Sequence, residues 1–168
     1  MARGSYVIED EPVSGGPIRQ RLIVEPLWPL LAVMLAGVWI GWPWLLFNAI
    51  ALGAAQWRQQ ARLLLIGLAG TALLAGVIVA LLEARVITRM VELRLALLAV
   101  TVWKLGITYR AQAMQLGTIE LYRHYGGTPR SGGGVLVLAM LLAPVLFGWV
   151  EGLFWIIILH GGLTLGLE

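Results

Sequence analysis

LLLIGLAGTALLAGVIVALL, residues 63–82, decides the reading of this chain: twenty consecutive residues carry no charge, between Arg62 and Glu83. Helix rises 1.5 Å per residue, so this stretch matches the ~30 Å hydrocarbon core of a bilayer. It also carries two ladders of small residues at four-residue spacing: Gly67, Thr71 and Ala75, and Ala72, Gly76 and Ala80. Small side chains let helix backbones approach closely, which is how helices associate where water gives no drive. Gly67, Thr71, Ala75 and Gly76 are therefore candidate helix-packing residues, and two such faces predict a helix covered on both sides.

Working outward, residues 26–57 and 131–150 are equally free of charge. The chain is 60% hydrophobic and 12% charged, with mean hydropathy +0.86. A soluble domain carries about 25% charged residues; half of that leaves too little polar surface to cover a water-soluble globule. The expectation is an all-α integral membrane protein: a small bundle of about four membrane segments in one helical membrane domain, residues 22–168. A polar tail, residues 1–21, precedes it and is broken by Gly15, Gly16 and Pro17. The tail lacks a short apolar run behind a basic start, so the first apolar segment is expected to act as an uncleaved insertion signal.

That first segment runs from Leu27 to Ala55 and is interrupted by Gly41-Trp42-Pro43. Proline inside a helix removes a hydrogen bond and clashes with the preceding turn. The segment is either one kinked spanning helix or a Pro-broken hairpin that enters and leaves on the same side. Arginine counts separate the two, because positive residues favour the cytoplasmic side. A single span divides the loop cations 6 against 5, and a hairpin divides them 8 against 3. The tally favours the hairpin, with a cytoplasmic N-terminus.

The third segment holds the chain's one lysine. Arg94 and Arg110 bracket 15 residues with Lys104 among them, and helical periodicity continues to Tyr125, predicting a long helix that projects from the membrane. Gly126-Gly127-Thr128-Pro129 ends it. At 3.6 residues per turn, Thr101, Lys104, Thr108, Gln112, Gln115, Thr118 and Tyr122 share one arc. Such a stripe serves as a path for a proton or ion, as a seam for a partner subunit, or as plain interhelical hydrogen bonding. Helical side chains lean toward the N-terminus, so the ammonium points away from the Arg110 end; Lys104 is expected to face protein or a wet cavity. The fourth segment, Val135 to about Leu159, should bend at Pro144 and Gly148 and is interrupted by Glu151. A straight helix brings Glu151 near Arg94; a segment that turns back brings it to Lys104. Residues 160–168 are expected at the interface.

Several chemistries have no support. With no cysteine, disulfides and thiolate chemistry are excluded. His124 and His160 lack companions at metal-ligand spacing, and Ser131 in its Gly-rich turn fits neither a phosphate loop nor a nucleophile elbow. Neither catalytic residues nor a cofactor or metal is expected. Eleven arginines cap apolar runs rather than form a basic block, which argues against nucleic acid. The expected function is a non-enzymatic membrane subunit or scaffold. Its partners would be lipids and either other membrane subunits or further copies in a homo-oligomer. The alternative is a small channel or transporter using the Lys104 stripe and Glu151.

Overall fold

The computed structural model describes residues 23–159. The expected tail and the chain from residue 160 onward, including His160, lie outside the described residues. Those described form six helices and no strand: α1 Leu27–Leu35, α2 Val38–Ala51, α3 Trp57–Glu83, α4 Met90–His124, α5 Gly133–Phe147 and α6 Leu153–Leu159.

α3 and α4 form an antiparallel spine, about 40 Å and about 52 Å long at 1.5 Å per residue. Glycines set their separation. A Cβ on Gly67 would lie 2.7 Å from Ile107, and one on Gly70 would lie 2.6 Å from the Trp103 ring. α4 begins where the Glu92 carboxylate accepts the backbone N–H groups of Thr88 (3.0 Å) and Arg89 (3.2 Å), two donors near the helix start. It ends in a Schellman motif. Gly126 takes φ 81°, Gly127 N–H donates to the Tyr122 carbonyl (2.9 Å) and Gly126 N–H to that of Arg123 (3.0 Å). The predicted long helix and its glycine stop are both present. α3 begins at Trp57, six residues before the charge-free stretch, so Gln60 is helical.

α1 and α2 pack against each other as a helical hairpin. Its turn corrects the sequence expectation: the chain reverses at Ala36–Gly37, not at Gly41-Trp42-Pro43. Gly37 adopts φ 106°, a conformation that side chains with a Cβ resist. Pro43 sits inside α2, exposed, where it removes one helix hydrogen bond without ending the helix. Gly41 instead permits the close approach of the two arms: a Cβ there would meet Val33 Cγ2 at 2.2 Å and the Val33 backbone nitrogen at 2.8 Å. The hairpin base is closed by Asn48, which accepts from Val24 N–H (3.0 Å) and donates to the Val24 carbonyl (3.0 Å).

The fourth segment does break, at residues 148–152, with Gly152 at φ 103°. α5 starts beside Trp28 and Trp44, where Gly132 leaves room for the Trp44 ring and the Trp28 Cβ, and packs on α1. α6 docks on α3. Two cores result, stacked along the spine. Val33, Val38, Trp42, Leu45, Leu64, Ile107 and Ala111 form one, where the hairpin meets α3 and α4. Ala75, Ile78, Val100, Ile157 and Ile158 form the other, where α6 meets them.

Among the described residues one helix, α3, is long and apolar enough to cross a membrane; α2 and α5 are shorter apolar helices. α3 is covered chiefly on its Gly67, Thr71, Ala75 and Ile78 side, while Leu73 on the other side is 69% exposed. The expected cover on both sides is thus not supplied among the described residues.

Candidate functional site: the polar seam of α4

α4 buries Val100, Lys104, Ile107, Thr108, Ala111, Gln115 and Ile119, a single stripe at helical spacing. Its apolar members face α3 and the cores. Its polar members meet the elements laid against the spine. Trp42 Nε1 donates to the Thr108 hydroxyl (2.9 Å), which itself donates to the Lys104 carbonyl one turn back (2.7 Å). Gln115 donates to the Leu45 carbonyl (2.8 Å) and accepts from Asn48 Nδ2 (2.9 Å). One amide pair, Asn48–Gln115, therefore joins the start of the described chain, the hairpin and α4.

Lys104 lies between the two cores and is 3% exposed. Its ammonium donates to the backbone carbonyl of Ile157 in α6. The bond ties α4 to α6, two helices that are far apart in the sequence. Lys104 thus holds α6 to the spine, while its own carbonyl receives the Thr108–Trp42 chain from the hairpin.

The remaining candidates divide. Thr101 is half-buried and donates to Leu97 O within its own helix (2.9 Å). Gln112 is half-buried, and its Oε1 has no hydrogen-bond partner among the described residues. Thr118 and Tyr122 are half-buried farther along α4. Glu151 is exposed in the turn before α6, and no ion pair joins it to Lys104. The turn-back that was to bring Glu151 to Lys104 does occur, but it delivers a backbone carbonyl instead. Of the packing residues, Gly67, Thr71 and Ala75 are buried on the spine. Gly76 is half-buried, with Phe154 3.9 Å from where its Cβ would be, an ordinary contact.

Sequence reasoning passed over four participants. Asn48 had a signal: it is the one Asn in the charge-free residues 26–57. Trp42 was read as part of the break. Gly70 lay off both ladders. Gln60 is 1% exposed, and its Nε2 finds no partner among the described residues. At the open end of the seam, Arg123 pairs with Glu25, and Arg130 N–H donates to the Ile23 carbonyl (2.8 Å).

These features define an all-helical protein with one helix able to cross a membrane and a buried polar seam along its longest helix. Compared with protein-family models, curated proteins and solved structures, the chain matches none.

Proposed function

We propose that this chain is a non-enzymatic, multi-pass membrane protein that acts as a structural subunit or scaffold, in a homo-oligomer or a larger membrane complex, with its arginine-rich end and N-terminus on the cytoplasmic side. The observation that carries the reading is the use made of the seam. Thr108 and Gln115 are bonded to Trp42, Leu45 and Asn48, and Lys104 is bonded to Ile157. Polar groups spent on holding the hairpin and α6 to the spine build a rigid body rather than line a path. The outward faces of α3 and α5 remain apolar: Leu73, Val77, Leu138 and Leu141 are all exposed. These faces suit lipid and neighbouring subunits.

The test is the size of the particle extracted in mild detergent, together with ion flux in proteoliposomes. A scaffold should extract as an assembly larger than one chain, and Lys104→Met should leave flux at background. A monomeric particle whose flux is lost in Lys104→Met would establish the second reading, a small channel or transporter using the Lys104 stripe and Glu151. That second reading draws on Gln60 Nε2 and Gln112 Oε1, two buried polar atoms that water would satisfy.

A further inference from the structure

The charges of α3 and α4 are in register. With Gly67 on Ile107 and Gly70 on Trp103, the antiparallel spine brings Arg62 to within about a turn of Arg110, and Glu83 to within about a turn of Arg94. Between these borders lie residues 63–82 of α3 and 95–109 of α4, and Lys104 is the one charged residue among them. Two helices running in opposite directions thus mark the same apolar band, about 30 Å deep over the 63–82 stretch. Arginines stand at both borders: Arg58, Arg62 and Arg110 at one, Arg85, Arg89 and Arg94 at the other. The partner that fits this surface is the hydrocarbon of a bilayer.

Hung on that band, the short helices cannot all cross it. Trp42 meets Thr108, and Leu45 and Asn48 meet Gln115, so α2 runs parallel to α4. Five or six residues before Trp42, the turn at Ala36–Gly37 is then level with Val102 and Trp103, close to the middle of the band. Both arms of the hairpin leave toward the Arg62–Arg110 border. α5 starts at that same border, beside Trp28 and Trp44. After the break at 148–152, Phe154 lies against Gly76, which the spine register places level with Leu98. Ile157 follows three residues later at the Lys104 ammonium, higher in the band. α6 therefore heads back inward. In the turn before it, Trp149 is 85% exposed and Glu151 is exposed. A bare carboxylate is costly in hydrocarbon and tryptophan favours the interface, so the turn belongs at the Glu83–Arg94 border.

We infer that α3, α4 and α5 with its following turn cross the bilayer, that the α1–α2 hairpin enters it and turns back at about the depth of Lys104, and that α6 enters from the opposite side and over its described residues reaches the same depth. This inference rests on the membrane reading above. Lys104 then stands close to the depth that the hairpin tip and the described residues of α6 both reach. α1 points its C-terminal, electronegative end toward that depth, where a fixed cation is favourable.

The chain has no native cysteine, so single cysteines report position directly. Leu35→Cys, Gln59→Cys, Leu73→Cys, Val86→Cys and Trp149→Cys all replace exposed side chains. The probe is a membrane-impermeant maleimide applied to each side of sealed vesicles in turn. Gln59→Cys should react from one side, Val86→Cys and Trp149→Cys from the other, and Leu35→Cys and Leu73→Cys from neither. Reaction of Leu35→Cys from the Val86 side shows that the hairpin passes through; reaction as fast as Gln59→Cys shows that its tip is in water. Either overturns the half-crossing hairpin. Trp149→Cys reacting from the Gln59 side overturns the placement of α6. Rapid labelling of Leu73→Cys is a different failure: the outer face of α3 is then in water and the membrane reading itself falls.

Discussion

Asn48 is a single amide that does three jobs. It holds the N–H and C=O of Val24 and donates to Gln115 from a fully buried position. Replacing it with leucine keeps the apolar surroundings but strands a buried N–H and the Gln115 oxygen. Leaving a buried polar group unsatisfied costs about 1–3 kcal/mol. Asn48→Leu should therefore lower stability by roughly 2 kcal/mol or more on the same scale, read as a fall in the thermal midpoint of the detergent-solubilised protein. An unchanged midpoint would mean that water replaces the amide at no cost. Gly41 is the steric counterpart. A methyl there meets both a side chain and the backbone of Val33, and overpacking of this kind costs about 1–3 kcal/mol. Gly41→Ala should loosen the hairpin, whereas Gly134→Ala, which meets nothing within 4 Å, should be silent in the same melt.

At the scale of elements, the spine depends on Gly67 and Gly70 more than on Gly76. Gly70→Leu drives a branched side chain into the Trp103 ring, while Gly76→Ala only approaches Phe154. The first variant should reduce the yield of folded protein in size-exclusion chromatography and the second should not; equal yields would show that α3 and α4 can shift apart freely. α6 is a separate case. It has seven residues, too few to be stable as an isolated helix, so its docking maintains it. Lys104→Met keeps the aliphatic stem and removes the donor to Ile157. Amide hydrogen exchange over residues 153–159 should accelerate in this variant while exchange over α3 stays slow. Equal protection in both proteins would assign the holding of α6 to Ile157 and Ile158 alone.

For the molecule as a whole, the decisive surface is the outward face of α3 and α5. Leu73→Asp puts a carboxylate in mid-helix on that face, and insertion scales charge about 2.5–3.5 kcal/mol for aspartate at a helix centre. The variant should partition less into the membrane fraction after alkaline extraction than Arg58→Asp, which lies beyond the apolar band. If Leu73→Asp stays in the membrane as the parent does, that face is covered by protein. The single exposed ion pair among the described residues, Arg123–Glu25, should matter little, since surface pairs contribute about 0–1 kcal/mol.

Much of this architecture follows from local terms. Charge-free length marks α3, helical periodicity carries α4 to its end, and Gly126 stops it, because helix propensity, capping and solvation each act within a few residues. Spacing alone places Gly67, Thr71 and Ala75 on one face of α3, and that face is buried. The turn of the hairpin was less legible. Pro43 is the louder breaker in the sequence, but a helix absorbs an exposed proline, and the reversal falls where Gly37 and the close fit of Gly41 on Val33 allow it. The site divides likewise. That Lys104 needs a protein partner follows from its being the one charge in its apolar stretch. That the Ile157 carbonyl accepts from it and the Glu151 carboxylate stays exposed was decided by the tertiary structure alone. A main-chain carbonyl has the same chemistry at every position and leaves no mark in the sequence; it becomes a site only when the fold brings α6 to the ammonium.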